Sequence, residues 1–259
     1  MPAAHTETGL IADWKSLCAD VATCAVAIFE TAEVKITPQG FADPQFLALT
    51  LLARTLSNLK GAAILLDARR IIEARTITRC CFENLYWMVG LVEHGPEFVK
   101  RMRDDELSHR KATGQALFEL DLALDDDVED RLREFMRDLN KRGLVGKTLS
   151  PKAVSAFRKD FGKTYVFYSQ LSSDSAHPSV TALNRYTVAN HLAGPGFDVE
   201  PLVRPDEIIE TYEYLAMSCI GVCVGVNQII GGTKGGERLN SLADRKDALS
   251  IAAAALRKA

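Results

Sequence analysis

Apolar side chains recur along this chain at every third or fourth position, which is the spacing of amphipathic helices, and the alternation typical of strands is nearly absent. The pattern predicts helices at about 10–34, 43–61, 62–93, 96–124, 128–142, 150–157, 162–175, 180–190 and 208–230, followed by a short Ala-rich helix. The segment 192–205, rich in Gly and Pro, is the longest predicted loop. We therefore expect an all-α fold.

The predicted helix from about Ala62 to Glu93 is apolar nearly all round in its second half, which includes Leu85-Tyr86-Trp87-Met88-Val89. This pattern is typical of a helix surrounded by other helices. We predict a multi-helix bundle around this long central apolar helix, with residues 1–259 forming a single helical domain. The strongly charged segment further along the chain predicts an exposed helical arm at about 125–160.

Composition narrows the classes of protein to which the chain can belong. With 47% hydrophobic and 25% charged side chains, its 259 residues carry enough apolar surface for a sizeable core. The formal net charge of -3 argues against a surface built for nucleic-acid or lipid phosphate, so any RNA contact must be local. The candidate for such a contact is the basic stretch 141–163, which includes Lys147 and Lys152.

Cysteine spacing and apolar runs bear on localisation. The six cysteines lie in apolar helical runs without a C-x-x-C spacing, which favours buried free thiols in a reducing cytoplasm. The start of the chain lacks the basic and apolar regions of an export signal. The apolar stretch 215–230 contains Ser218, Asn227 and Gln228, which favours a buried helix over a membrane span. We expect a cytoplasmic protein with no membrane partner.

The central helix carries charged residues one turn apart, in the pattern Arg75-x-x-x-Arg79-x-x-x-Glu83. Apolar and aromatic neighbours share this stripe, so Arg79 and Glu83 are predicted to point inward. Buried charges are tolerated when they are paired and hydrogen-bonded. The pair either fixes the packing of the helix or belongs to a functional site.

A second polar feature is Glu106-x-x-His109 on the apolar side of the following helix. This spacing is half of a carboxylate-bridged dimetal signature, whose other half is missing. If the chain holds a metal, the candidate ligands are Glu83, Glu106, His109 and His177. A histidine satisfied by Glu106 is the simpler interpretation, and we expect no cofactor.

Hydroxyl groups recur at helical spacing before a break at His177-Pro178. A histidine held by a rigid proline at a helix break can reach into a cleft as a general base. A lone histidine before a proline is, however, more often a turn residue bonded to backbone. The candidate substrate-binding residues around it are Tyr168, Ser172, Ser175 and Ser179, and Arg185 follows.

The segment from Arg69 to Leu85, together with Tyr168-x-x-Leu171-Ser172 and His177-Pro178-Ser179, resembles a bacterial all-helical family of unknown function, domain-of-unknown-function family 5677. The resemblance covers about 50–190 and implies no established activity. A weaker resemblance is to HEPN-type helical domains, which cleave RNA without metal using Arg and His on one helix. Here His177 precedes Arg185 with Pro178 between them, so only the general idea of an arginine for phosphate charge and a histidine base carries over.

Three functional hypotheses follow. The favoured one is a non-catalytic helical interaction or oligomerisation module that forms a homo-oligomer. The second is a metal-independent RNA-directed nuclease or nucleotide-binding protein of a defence or stress system, in which His177 is the base, Arg79 and Arg185 stabilise phosphate charge, and Glu83 orients Arg79. The third is a metal-binding helical bundle enzyme.

Overall fold

The structure is a computed structural model that describes residues 6–34, 37–120, 125–141, 149–190 and 194–258. Its helices are α1 (Glu7–Thr31), α2 (Pro44–Asp67), α3 (Ile71–Glu119), α4 (Asp126–Lys141), α5 (Pro151–Ser155), α6 (Lys159–Gly162), α7 (Tyr165–Leu171), α8 (Val180–Asn184), α9 (Pro205–Ile230) and α10 (Leu239–Leu256). Short 3-10 turns cover Gly40–Ala42 and Lys234–Arg238, and a π turn covers Ser172–Ala176. Two strands, β1 (Thr187–Asn190) and β2 (Gly194–Phe197), pair antiparallel. The predicted all-α bundle is confirmed.

The core lies where α1, α2, α3 and α9 pack against one another. Its largest fully buried side chains include Trp14 on α1, Phe82 and Tyr86 on α3, and Tyr212 on α9. The first half of α3 is buried nearly all round, as its apolar pattern predicts. This central position makes α3 the helix from which the candidate site is built.

The predicted break between the second and third helices is displaced in the structure. Gly61 continues α2, and the break falls at 68–70, where Arg69 adopts a left-handed conformation with φ 57°. The Arg69 Nη2 group donates to the Val203 carbonyl at 2.9 Å, so a contact distant in sequence accompanies this turn. The predicted end of the next helix at 94–96 is a kink within α3, where Gly95 has φ 46° and ψ -122°.

The charged helix α4 packs along the second half of α3. Met136 and Leu139 are buried, and a side chain at Gly114 would come within 3.0 Å of Met136 Sδ. Further along α3, the Arg133 guanidinium lies 4.9 Å from the Phe118 ring centre. The outer face of α4 remains exposed. Within the segment expected to form an arm, residues 142–148 lie outside the described ranges.

A β-hairpin replaces the helix predicted to continue to residue 190. Thr187 and Val188 are β-branched and favour extended backbone, and the opposite strand contains Gly194 and Gly196, which disfavour helix. The register pairs Thr187 with Phe197 and Val188 with Gly196. The prediction of uninterrupted helix here is wrong because strand propensity and glycine outweigh the preceding helical spacing.

The glycine pairs after α9 form a tightly packed turn. Gly231, with φ 86°, ends α9. Gly235 is buried against α1, where an added Cβ would lie 2.3 Å from the backbone carbon of Ala27, and its N–H donates to Thr31 Oγ1 at 3.0 Å. This turn is therefore fixed against α1.

The cysteines are free thiols, and five of the six are buried. Burial raises the pKa of Cys18, Cys24, Cys80 and Cys223, and a hydrogen bond with Cys81 together with burial raises that of Cys219. Among the described residues, α2 and α9 are each long and apolar enough to cross a membrane by length and composition alone. Core helices pass the same test, and 56% of the apolar window of α9 is buried in the bundle, compared with 28% for α2.

Candidate functional site

Three of the predicted site residues meet where α7 lies against α3. Arg79 and Glu83 are one turn apart on α3, and Arg79 Nη2 lies 3.0 Å from Glu83 Oε1. Arg79 Nη2 also donates to the Tyr168 hydroxyl at 2.8 Å, and that hydroxyl donates to Glu83 Oε1 at 3.0 Å. The side chains of Arg79 and Glu83 are 20% and 28% exposed. The three groups form a closed triangle through Arg79 Nη2, whereas the buried Arg79 Nε has no hydrogen-bond partner among the described residues.

The phenol of Tyr168 stays protonated in this triangle. Burial raises its pKa to about 12, and the charge of Glu83 and the hydrogen bond to it act in the same direction. The Arg79 guanidinium carbon also lies 5.0 Å from the Tyr168 ring centre, a cation–π distance. A protonated phenol that donates to Glu83 cannot act as a base near neutral pH, so its contribution here is to hold the ion pair in place.

A second set of charges lies one turn earlier on α3. Arg75 is only 2% exposed. Its Nε atom lies 2.9 Å from Asp174 Oδ2, and its Nη1 donates to Glu210 Oε2 at 3.0 Å. One buried guanidinium thus joins α3 to the π turn and to α9.

Arg185 extends these contacts into a chain of ion pairs. It binds both oxygens of Asp174, through Nε at 2.9 Å and Nη2 at 2.8 Å, and its Nη2 lies 2.7 Å from Glu207 Oε1. Burial opposes the charged form of Arg185, but hydrogen bonds to Glu207 and Asp174 raise its pKa. Burial likewise opposes the charge of Glu207, and Arg185 outweighs it, so the pKa of Glu207 is lowered. We call Arg75, Asp174, Arg185, Glu207 and Glu210 the ion-pair network.

The π turn determines where Asp174 points. Its wider turn follows α7 directly, and the His177 N–H donates to the Ser172 carbonyl at 3.2 Å. Asp174 is buried, whereas Ser173 beside it is exposed. Insertions of this kind into a helix are frequent at functional sites. Next to the network lies a cavity of about 280 Å³, also lined by Gln170 and Thr181.

The predicted base is not part of either cluster. His177 is exposed, and its imidazole makes no hydrogen bond or ion pair within the described part of the chain. The residue before a proline is restricted to extended backbone, and His177 has φ -116° and ψ 144°. This turn directs His177 outward, and the structure does not bring its side chain together with Arg79 or Arg185.

The predicted hydroxyl stripe serves the local backbone. Ser175 Oγ donates to the Leu171 carbonyl at 2.6 Å. Ser179 Oγ donates to the Ser173 carbonyl at 2.5 Å and caps α8. Ser172 is half-buried and contributes its carbonyl to the π turn. These groups hold the turn that positions Asp174.

The candidate metal ligands do not converge. Glu83 is bound to Arg79 and Tyr168, whereas Glu106 pairs with Arg110 and His109 Nε2 lies 3.5 Å from Asp105 Oδ2. Glu106 and His109 lie beyond the kink at Gly95, on the part of α3 that packs with α4. Throughout the described ranges, no three His, Cys, Asp or Glu side chains come together as a metal site. The proposed set of Glu83, Glu106, His109 and His177 is therefore wrong as a constellation.

The basic stretch is described only in part. Lys147 lies outside the described residues, and Lys152 is exposed at the start of α5. The charge of Arg158 is partly neutralised by Glu93, because Arg158 Nε lies 3.6 Å from Glu93 Oε1. The Arg158 guanidinium carbon also lies 5.7 Å from the Phe161 ring centre. The described part of this stretch, residues 141 and 149–163, belongs to neither charged cluster of the site.

Three acidic members of the ion-pair network are not predicted from the sequence. Asp174 stands among serines. Glu207 stands in the first turn of α9, where acidic residues ordinarily complement the helix dipole, and Glu210 lies in the next turn. The signal that could have revealed them is Arg75, since a cation predicted on a buried stripe requires carboxylate partners. Its partner Glu210 is 135 residues away in sequence.

Comparison with known proteins gives one match. A family model described as "Family of unknown function (DUF5677)" matches residues 45–193. This span contains the triangle of Arg79, Glu83 and Tyr168, and it also contains Asp174 and Arg185. No curated protein and no solved structure matches the chain, and a likeness to HEPN-type domains is not shown.

Proposed function

The chain belongs to the family of unknown function DUF5677, and from this premise we propose that it acts as a non-catalytic helical interaction module. The observation that carries the proposal is that the charged groups of the site are already paired with one another. Arg75 and Arg185 are each bound to two carboxylates, and Arg79 is bound to Glu83 and Tyr168. Catalytic and ligand-binding charges, by contrast, are directed at the place where a substrate sits.

The balance of charge also disfavours a phosphate ligand. The ion-pair network contains two guanidinium groups and three carboxylates, and each guanidinium is already bound to two of those carboxylates. A phosphate that approached Arg75 or Arg185 would meet carboxylates already bound there. Like charges at such short range in a poorly solvated site repel strongly. These residues are therefore better suited to stabilising the fold than to binding phosphate.

The network joins four parts of the chain. Arg75 lies on α3, Asp174 on the π turn, Arg185 at the end of α8, and Glu207 and Glu210 on α9. The segment that emerges between Arg185 and α9 carries β1 and β2. Fixing both ends of that segment orders it for contact with another molecule, which lowers the entropy lost on binding. The network therefore acts as a clamp, which fixes both ends of the segment between Arg185 and α9.

The alternative, a metal-independent RNA-directed nuclease, draws support only from the partial exposure of Arg79 and Glu83. It lacks a positioned base, since His177 is exposed and bonds to neither arginine. A metal-binding enzyme is supported less still, because its candidate ligands are separated.

One experiment tests the module against the nuclease alternative. Purified wild-type protein, Arg79→Ala and His177→Ala are incubated with total RNA, in EDTA and with added manganese. We expect intact RNA throughout. We also expect Arg79→Ala to lower the free energy of unfolding by about 2 kcal/mol, because it leaves Glu83 unpaired, and His177→Ala to change it by less than about 0.5 kcal/mol. Cleavage that either substitution abolishes would overturn the proposal.

A further inference from the structure

Two adjoining cavities lie near the kink in α3, between this helix and the 3-10 turn Gly40–Ala42. The larger has a volume of about 520 Å³ and the smaller a volume of about 340 Å³. Ala42, Val99 and Arg103 line both of them, so the two cavities are neighbours. Both volumes fall in the range of about 300–1,000 Å³ that is typical of sites for small molecules.

The larger cavity has an apolar wall that includes two aromatic rings. Trp87 and Met102 on α3 are half-buried, and Phe41 on the 3-10 turn is 82% exposed. Leu47 on α2 completes the wall together with Ala42 and Val99. Aromatic rings and a methionine sulfur both pack favourably against a further ring. The wall therefore fits a flat apolar group, which would also cover Phe41.

The acidic groups that line the larger cavity are already bound within the chain. Asp105 Oδ1 accepts a hydrogen bond from the Leu149 N–H at 2.5 Å, and Asp105 Oδ2 lies 3.5 Å from His109 Nε2. Glu106 pairs with Arg110, one turn further along α3. These contacts offset the negative charge, so the acidic groups do not call for a cationic ligand.

The basic groups of the smaller cavity are in the opposite situation. Lys100 and Arg103 are neighbours one turn apart on α3, and both side chains are exposed. Neither side chain makes a hydrogen bond or ion pair with any residue that the structure describes. An anion that approached them would not have to displace a carboxylate, as it would at the ion-pair network. The unpaired charge of the two cavities together is therefore positive.

We propose that the two cavities together bind a small aromatic carboxylate. Its ring lies in the larger cavity against Trp87 and Met102, and its carboxylate lies at Lys100 and Arg103. A carboxylate fits better than a phosphate group, because a single negative charge is repelled less by the carboxylates on the other side of Arg103. The inference goes beyond the interaction module and does not rest on it.

A fluorescence titration with phenylbutyrate, which joins a phenyl ring to one carboxylate, tests the site. The chain contains two tryptophans, of which Trp14 is fully buried in the core and Trp87 lines the larger cavity. Trp87→Phe therefore shows whether the signal comes from the cavity. Phenylbutanol has the same ring and chain without the charge, and it serves as the neutral probe.

Two sets of variants separate the charged end of the site from its apolar wall. Lys100→Gln and Arg103→Gln remove the charges, and their control is Lys60→Gln, an exposed lysine on α2. Phe41→Ser alters the wall, and its control is Phe197→Ser, since Phe197 is similarly exposed, at 89%, on the hairpin. Circular dichroism of each protein establishes that the bundle is folded.

We expect wild type and the two control variants to bind phenylbutyrate with the same dissociation constant. Phenylbutanol should bind at least about threefold more weakly, and each of the three cavity variants should raise the dissociation constant at least about twofold. The fluorescence change should be absent in Trp87→Phe.

Four results would each overturn the proposal. The first is a wild-type protein that shows no saturable change up to about 5 mM phenylbutyrate. The second is phenylbutanol that binds as tightly as phenylbutyrate. The third is a set of folded cavity variants that bind no more weakly than the control variants. The fourth is a fluorescence change that persists in Trp87→Phe, because the signal would then come from Trp14.

Discussion

Arg75 is the residue whose replacement tests the ion-pair network most directly. Its guanidinium is buried and bound to Asp174 and Glu210. Arg75→Met keeps an unbranched side chain but removes the charge. Taking one partner from a buried ion pair costs about 3–5 kcal/mol. Because Asp174 retains Arg185 and the Glu210 side chain is 23% exposed, we expect the lower end, about 3 kcal/mol.

Urea unfolding at neutral pH measures this loss as a lower transition midpoint at unchanged slope. The matched control is Arg131→Met on α4. Arg131 pairs with Asp127, but both side chains are 72% exposed, and a pair of this kind contributes at most about 1 kcal/mol. A double-mutant cycle of Arg75→Met with Asp174→Asn should show a coupling of at least about 1 kcal/mol, since the two groups are in contact.

A cost of Arg75→Met below about 1 kcal/mol, or a cost that simply adds to that of Asp174→Asn, would contradict the expected coupling. Either result would mean that water stabilises the charges as well as the network does. The network could then not be the clamp that holds the π turn and α8 on the bundle.

Two further predictions concern the turn after α9 and the triangle on α3. Gly235→Ala should destabilise the protein by about 2 kcal/mol or more in thermal unfolding, because its Cβ would overlap the α1 backbone, whereas Gly162→Ala has open space and should change stability by less than about 0.5 kcal/mol. Equal effects would contradict the close packing. Tyr168 should ionise near pH 12, measured as the difference in ultraviolet absorbance between wild type and Tyr168→Phe. Glu83→Gln should lower that pKa by removing a negative charge, and an unchanged titration in this background would contradict the triangle.

Helical periodicity identifies the bundle because a buried helix must repeat its apolar side every turn. It does not locate every helix end. The sequence predicts a helix break at Gly61, but Gly61 continues α2 because one glycine costs a helix only about 1 kcal/mol. The break falls instead at Arg69, whose side chain bonds to Val203 across the fold. Such long-range contacts leave no local pattern.

Some contacts of the candidate site can likewise be predicted from the sequence, and others cannot. The contact of Arg79 with Glu83 is predictable because residues four apart on a helix are neighbours. Tyr168 is identifiable as a candidate from its segment, but its contact with α3 is not. Asp174 could not be assigned, since its burial depends on a π turn, and the outward direction of His177 follows from Pro178 only once the turn is known.

The ion-pair network lies at both ends of the segment that carries β1 and β2. An ion-pair network in the interior adds little net stability over an apolar core, because desolvation offsets much of the attraction between the charges. What it adds is a defined geometry, since a guanidinium bound to two carboxylates fixes both of them. Arg185 lies two residues before the start of β1, and its partner Glu207 lies with Glu210 in the first two turns of α9. This geometry is therefore imposed where the segment between them leaves and rejoins the bundle. A hairpin held at both ends loses less conformational entropy on binding a partner than a free one would. The buried charges then have a function that requires no catalysed reaction.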